Sequence, residues 1–174
     1  MISFNASTAI GSARLAAIKK AVGPQVLLQL LELRFMAWVD KNFKDRGTES
    51  KWAPLRPSTL AQRMRGGDAP LMNTGNFRNA VQSRISGSTL RIGWPQDQQK
   101  LAAIHHYGSG PFTIVVKDAK ILAARKRGGG WMFFGKEVHH PGIPRRPLIP
   151  SDQMARKVAA GTLNAVFDTL KDIK

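Results

Sequence analysis

One stretch of the sequence, between Pro24 and Gly47, constrains the fold more than any other. Its apolar residues recur every three to four positions, the spacing of one helix face; they are Leu27, Leu30, Leu31, Phe35, Trp38 and Val39. Because proline suits the first turn of a helix and glycine ends one, the stretch predicts a helix over 24–46. At about 1.5 Å per residue the helix is roughly 35 Å long, so it must run through most of a small domain.

Other helices are expected on both sides of this one. A shorter helix is predicted over 7–22. Near the end of the chain, Ser151 or Asp152 caps an amphipathic helix whose apolar residues again repeat at helical spacing. Two short helices are predicted between them, one with its cap at 57–59 and one beginning at 74–77.

Strand patterns occupy the middle of the sequence. Polarity alternates over 82–85 and 89–94 on either side of Ser86-Gly87-Ser88, which is typical of a β-hairpin. Residues 112–116 and 131–134 predict two more strands. The order of elements predicts an α+β fold with long N-terminal helices, a small antiparallel sheet with hairpins and a C-terminal amphipathic helix.

Length and apolar content favour one domain. The chain has 174 residues, of which 43% are apolar, enough for one ordinary core. We therefore expect a single domain over 1–174, with a helical part at 1–46, motif-bearing loops and strands at 47–150, and the C-terminal helix at 151–174.

The charge balance points to a negatively charged partner. Lys and Arg total 27 against 11 Asp and Glu, a formal net charge of +16, and the basic residues are spread along the chain. Such a field attracts nucleic acid, acidic membranes or acidic proteins. No apolar run is long enough to span a membrane, and without cysteine there are no disulfides. We expect no membrane partner.

Residues that could perform chemistry are present without the spacing that chemistry needs. Two histidine pairs, His105-His106 and His139-His140, suggest a metal site. Neighbouring residues on a strand point to opposite faces, however, so only one histidine of each pair could easily reach a common ion. Ser109 lacks the surroundings of a nucleophile elbow, and the carboxylates are scattered singly. We therefore predict no enzyme, no catalytic or metal-binding residue and no cofactor.

Two features could contact a charged partner. Arg125, Lys126 and Arg127 precede three glycines, so they are predicted on a hairpin tip that contacts DNA phosphates or an acidic partner, or is merely solvated. Several aromatic residues could stack on single strands, although core or subunit contacts are favoured; these are Trp52, Trp94, Trp131, Phe77 and Phe133.

Five short motifs follow one another in a recognisable order. They are WAPL (52–55), PSTLAQR (57–63), PLMNTGNF (70–77), AIHHYG (103–108) and HPGIPRRPL (140–148). Their order resembles that of the tail-completion, or virion morphogenesis, proteins of tailed Mu-like bacteriophages. Leu148 stands where that family has Phe, Phe77 where an aliphatic residue is common, and Arg63 where it has Lys.

The resemblance implies a structural virion protein, assembled in the host cytoplasm and located in the tail neck. It implies a homo-oligomeric ring, a hexamer, that caps the head-proximal end of the tail and joins tail to head. Its partners would be further copies of itself, a tail terminator or tube protein, a head-completion or connector protein, and genomic DNA in the lumen. The candidate interface residues are Trp52, Leu55, Arg145 and Arg146, the last two aimed outward by a proline-rich segment.

Two alternatives remain. The stronger is a basic, nonspecific DNA-binding protein acting on the genome end, which is compatible with a neck ring around DNA. The weaker is a metal-dependent nuclease that uses the histidine pairs.

Overall fold

The computed structural model describes residues 2–4, 16, 18, 20–63, 67–117, 119–125 and 129–172. Five helices with defined bounds are α1 (Pro24–Lys44), α2 (Pro57–Gln62), α3 (Asn76–Asn79), α4 (Gln96–Tyr107) and α5 (Asp152–Asp172). The strands are β1 (Ile2–Phe4), β2 (Gln82–Ser86), β3 (Thr89–Gly93), β4 (Phe112–Val115), β5 (Leu122–Arg125), β6 (Trp131–Gly135) and β7 (Glu137–His140). The predicted α+β class is confirmed.

The long helix is confirmed as α1, with Pro24 in its first turn and Lys41 and Lys44 in its last. Its apolar face is buried along its whole length, from Leu27 to Phe43. Ahead of it, residues 16, 18 and 20–22 are helical, and the rest of the helix predicted over 7–22 lies outside the described residues.

A three-stranded antiparallel sheet, in the order β1-β3-β2, packs near α1 and α5. The β2–β3 hairpin predicted from sequence is confirmed, with Ser86 paired to Thr89 at its turn. The first core cluster lies between these elements, around Leu31 and Phe35 of α1, Leu90 of β3 and Ala159 and Leu163 of α5.

The second core cluster is rich in aromatic rings. Phe43 meets Trp52 edge to face, with ring centroids 5.3 Å apart, and Phe77 stacks on Trp94 at 5.0 Å. Ile92 and Val158 flank both clusters, so the two are continuous. The helices and the three-stranded sheet supply most of this core.

The remaining four strands form one long hairpin, which we call the arm (residues 109–143). Strand β4 pairs with β7, and β5 pairs with β6, each antiparallel. The two ribbons lie in series, joined where the Val116 N–H donates to the Lys136 carbonyl at 3.0 Å. The strands predicted at 112–116 and 131–134 are confirmed as β4 and β6; the sequence did not indicate β5 and β7.

Three helices can be compared with the local predictions. Helix α4 was not predicted, and His105 and His106, expected on a strand, lie in its last turn. The cap of α2 is Arg56, with Pro57 already in the first turn, instead of a cap within 57–59. The C-terminal helix is confirmed, and the Met154 N–H donates to the Ser151 hydroxyl at 3.2 Å as a cap.

None of the helices in the described part of the chain combines the length and apolarity needed to cross a membrane.

Candidate functional site

The first and the last of the motifs identified in the sequence meet at one carbonyl. The oxygen of Pro147 accepts a hydrogen bond from Asn42 Nδ2 at 2.8 Å and another from Trp52 Nε1 at 3.1 Å. Asn42 is fully buried and its Oδ1 accepts from the Thr48 N–H, so this amide ties α1 to the loop after it. The last motif is thereby fastened to the first.

Arg146 makes the second connection. Its guanidinium donates from Nε and Nη2 to the Ala53 carbonyl, at 3.3 and 3.1 Å. The backbone N–H of Arg146 donates to the His105 carbonyl at 2.7 Å. The side chain is only 5% exposed, and burial lowers its pKa from the usual arginine value. Arg146 therefore directs two of its guanidinium donors to a carbonyl of the same chain.

The two histidines of α4 complete the arrangement. His106 Nδ1 accepts from the Leu148 N–H at 3.0 Å, which requires this nitrogen to be unprotonated. Burial lowers the pKa of both His105 and His106, and the nearby charges of Arg146 and Arg145, respectively, lower it further. Both rings are thus held neutral. We call this set of contacts, from Asn42, Trp52, Ala53, His105, His106 and 146–148, the junction.

Two glycines bring the base of the arm against the junction. A Cβ on Gly108 would lie 2.9 Å from the Ile143 carbonyl oxygen, and one on Gly142 would lie 2.5 Å from the Ser109 carbonyl oxygen. Both glycines have positive φ, +79° and +89°, which other residues adopt at a cost. Between them, Ser109 and Ile143 exchange backbone hydrogen bonds at 2.9 and 3.1 Å.

The junction separates the four candidate interface residues into two groups. Trp52 is only 6% exposed, and both Trp52 and Arg146 make their hydrogen bonds to carbonyls of the same chain. The prediction that the proline-rich segment aims both arginines outward is wrong for Arg146, because its guanidinium turns inward to the Ala53 carbonyl. Arg145 is exposed and Leu55 is half-buried, so these two stay candidates for contacts with another subunit.

The histidines do not form a metal centre in the described part of the chain. No group of three or more His, Asp or Glu side chains there is placed to share an ion. His139 Nδ1 pairs with the Thr113 hydroxyl at 2.9 Å, and His140 stacks on Phe112 and accepts from the Gly142 N–H. Each ring has a structural contact of its own.

The arm carries the other predicted contact residues. Arg125 is exposed at the end of β5, whereas Lys126 and Arg127 lie outside the described residues. The aromatic residues divide clearly: Trp52, Trp94 and Phe77 belong to the core, as the sequence favoured, and Trp131 and Phe133 are exposed. The sequence pattern did not distinguish the two groups.

The fold and the junction define a basic α+β protein with a hairpin arm. No protein-family model, no curated protein and no solved structure matches the chain.

Proposed function

We propose that this protein is a structural component of a tailed-phage virion, a tail-completion or neck protein that caps the head-proximal end of the tail and joins it to the head. The motifs carry this proposal through their resemblance to that family. The protein would act without catalysis, as a ring of identical subunits, by analogy a hexamer, in contact with a tail terminator or tube protein and a head-completion protein.

One observation supports the proposal above the others. Three of the five motifs that carry the resemblance, at 52–55, 103–108 and 140–148, meet in the junction although they are far apart in sequence. Their polar groups are used to fasten chain segments together. Motifs of this kind suit a protein selected for its shape.

The chemistry of the junction agrees with a structural role. Burial and neighbouring arginines lower the pKa values of the two histidines there. Glu49, whose charge acts on His106 in the opposite direction, is hydrogen-bonded to Ser151 and not to the ring, so it does not orient His106 as a general base. His106 already accepts a backbone hydrogen bond. The contacts of His105 and His106 therefore stabilise the fold.

The purified chain tests the proposal directly. Native mass spectrometry and negative-stain electron microscopy should find closed rings of one subunit number, and Arg145→Glu should shift the mass toward the monomer. Lys157→Glu on the exposed side of α5 is the matched charge control. A chain that stays monomeric at all concentrations, or rings that Arg145→Glu and Lys157→Glu affect equally, would contradict the assembly as proposed.

The net charge of +16 favours a second candidate, a nonspecific DNA-binding protein. Such binding depends on phosphate contacts, so it should be insensitive to sequence and should weaken with salt. Replacing Arg125, Lys126 and Arg127 by alanine should reduce the slope of log K against log salt by up to about 0.9 per lost contact on duplex DNA. Unchanged duplex binding combined with failed tail joining would favour an acidic protein as the target of the tip.

A further inference from the structure

The exposed apolar side chains of this molecule are concentrated on the arm. Eleven large apolar side chains are exposed among the described residues, and seven of them lie between positions 112 and 134. They are Phe112, Ile114, Val115, Ile121, Trp131, Phe133 and Phe134. None of the described residues of the arm belongs to either core cluster. The arm therefore presents apolar surface that its own subunit does not cover.

The ribbon formed by β5 and β6 has the clearest exposed face. Trp131 and Phe133 are two positions apart on β6, so both side chains point to one side of the ribbon, and they are 58% and 63% exposed. Their cross-strand neighbours are Arg125 and Ala123, which are also exposed. An aromatic ring buries about 150–250 Å² when fully covered, so these two rings alone offer roughly 200–300 Å².

The edges of both ribbons are open as well. Each of the strands β4 to β7 pairs with one neighbour only in the described chain. Unpaired N–H and C=O groups along a strand edge can accept another strand. An extended segment could thus gain backbone hydrogen bonds at the edge and cover Trp131 and Phe133 with alternate side chains.

Charge indicates the composition of that segment. Lys117, Lys120, Arg125 and Lys136 are exposed on the arm, and none of them forms a salt bridge within the described residues. The sequence from 111 to 141 holds six basic residues and two acidic ones. The complementary partner is acidic.

A second copy of this chain is a poor match. Most described carboxylates already have a partner inside the subunit: Asp40 with Arg78, Asp45 with Lys41, Asp68 with Arg46, Asp168 with Lys171, and Glu32 and Glu49 with serines. Two arms, each with six basic and two acidic residues between 111 and 141, would also repel each other.

Single-stranded nucleic acid would satisfy the charge but not the rest of the surface. Bases stack on aromatic rings, whereas Ile114, Val115 and Ile121 are aliphatic and exposed. Nucleic acid also cannot continue a β-sheet at its open edges. A polypeptide strand uses all three features, namely the apolar side chains, the edges and the charge.

We infer that the arm is a docking site for an extended acidic segment of another protein, which adds as a strand to the β5–β6 ribbon and places alternate apolar side chains against Trp131 and Phe133. This inference does not depend on the proposed function, since it rests on the exposure, pairing and charge of the arm alone.

The test uses three fluorescent probes with the 174-residue chain. The first is a peptide of about ten residues, long enough to span the ribbon, in which glutamate alternates with valine. The second replaces each glutamate by lysine, and the third is oligothymidylate of similar length. The variants are Trp131→Ala with Phe133→Ala, and the control Leu33→Ala, which removes an equally exposed side chain from α1.

The acidic peptide should bind, and the double variant should weaken its affinity by about 30-fold or more, the loss typical of an interface hot spot. Leu33→Ala should leave binding unchanged, and the lysine peptide should not bind. Circular dichroism of the double variant should match the wild type, because neither ring packs on the core.

Four results would overturn the inference. One is the absence of binding to the acidic peptide, and another is equal loss of binding in the double variant and in Leu33→Ala. The third is selective loss of oligothymidylate binding in the double variant, which would assign the surface to nucleic acid. Concentration-dependent self-association that disappears in the double variant, measured by sedimentation velocity, would assign it to a second copy.

Discussion

Arg145 and Arg146 are adjacent and chemically identical, and the structure predicts opposite consequences for their replacement. Arg146 is buried and donates twice to the Ala53 carbonyl, while Arg145 is exposed. We expect Arg146→Ala to destabilise the folded chain and Arg145→Ala to leave its stability within about 0.5 kcal/mol of the wild type.

The magnitude follows from the contacts that Arg146→Ala removes. A hydrogen bond from a charged donor contributes about 1.5–3 kcal/mol, and a buried acceptor left without a donor costs about 1–3 kcal/mol. These two figures describe the same contact and are not added. In the wild type, the cost of burying the guanidinium offsets part of the stabilisation from these hydrogen bonds. The same burial is the cause of its lowered pKa. We therefore expect a loss of about 2 kcal/mol.

Urea unfolding followed by tryptophan fluorescence measures this loss. With a slope of about 2 kcal/mol per molar urea, the midpoint of Arg146→Ala should fall by about 1 M. Arg146→Met keeps most of the apolar stem and removes the donors, so it separates packing from hydrogen bonding. The reasoning is refuted if Arg146→Ala unfolds at the wild-type midpoint, or if Arg145→Ala loses as much.

Three further predictions concern the junction and its surroundings. Gly142→Ala should destabilise the chain by about 1–3 kcal/mol, because its φ is positive and its Cβ would meet the Ser109 carbonyl; Gly110→Ala, which meets nothing, is the control for the same thermal unfolding experiment. The lowered pKa of His106 means that the unfolded chain binds a proton that the native chain does not, so stability should fall as the pH drops below about 6.5, by at most about 1.4 kcal/mol per pH unit. His106→Asn, which keeps an acceptor for the Leu148 N–H, should reduce that pH dependence in urea titrations at several pH values. Chelator-free protein should contain no stoichiometric zinc by elemental analysis, since no three His, Asp or Glu side chains among the described residues are placed to share an ion; one zinc per chain would contradict this.

The elements that could be predicted from the sequence are those whose signals are local. Helix α1 is marked by a long apolar period with proline at its start, and α5 by a serine cap and a similar period. The β2–β3 hairpin has alternating polarity around a short turn. Each of these patterns is complete within one segment of chain, so no distant contact is needed to recognise it.

Helix α4 lacks such a signal. Polar residues fill its first turns, its apolar residues are clustered from Leu101 to Ile104, and only Ala102 is buried. Without an apolar stripe, periodicity does not distinguish it from a strand. Its position depends on tertiary contacts, such as the hydrogen bond between His106 and Leu148, that no local pattern records.

The junction shows a different limit of sequence reasoning. Its motifs could be recognised, but the contacts between them join residues such as Asn42 and Pro147 that are separated by 105 positions. Several acceptors are backbone carbonyls, which have no side-chain signature. Arg146 is buried and Arg145 is exposed because Arg146 is the one that faces Ala53. The exposure of Trp131 and Phe133 could not be predicted from the sequence either, because apolar residues on strands most often lie in the core.

The two ends of the arm leave the junction side by side, since Ser109 and Ile143 are hydrogen-bonded to each other. Everything beyond that pair is therefore topologically an insertion, and the rest of the chain needs only a tight turn to close the gap. A variant with such a turn in place of the arm should fold with both core clusters intact. By the same geometry, an arm from another protein could be grafted between these two positions, which makes partner choice an exchangeable property of this scaffold.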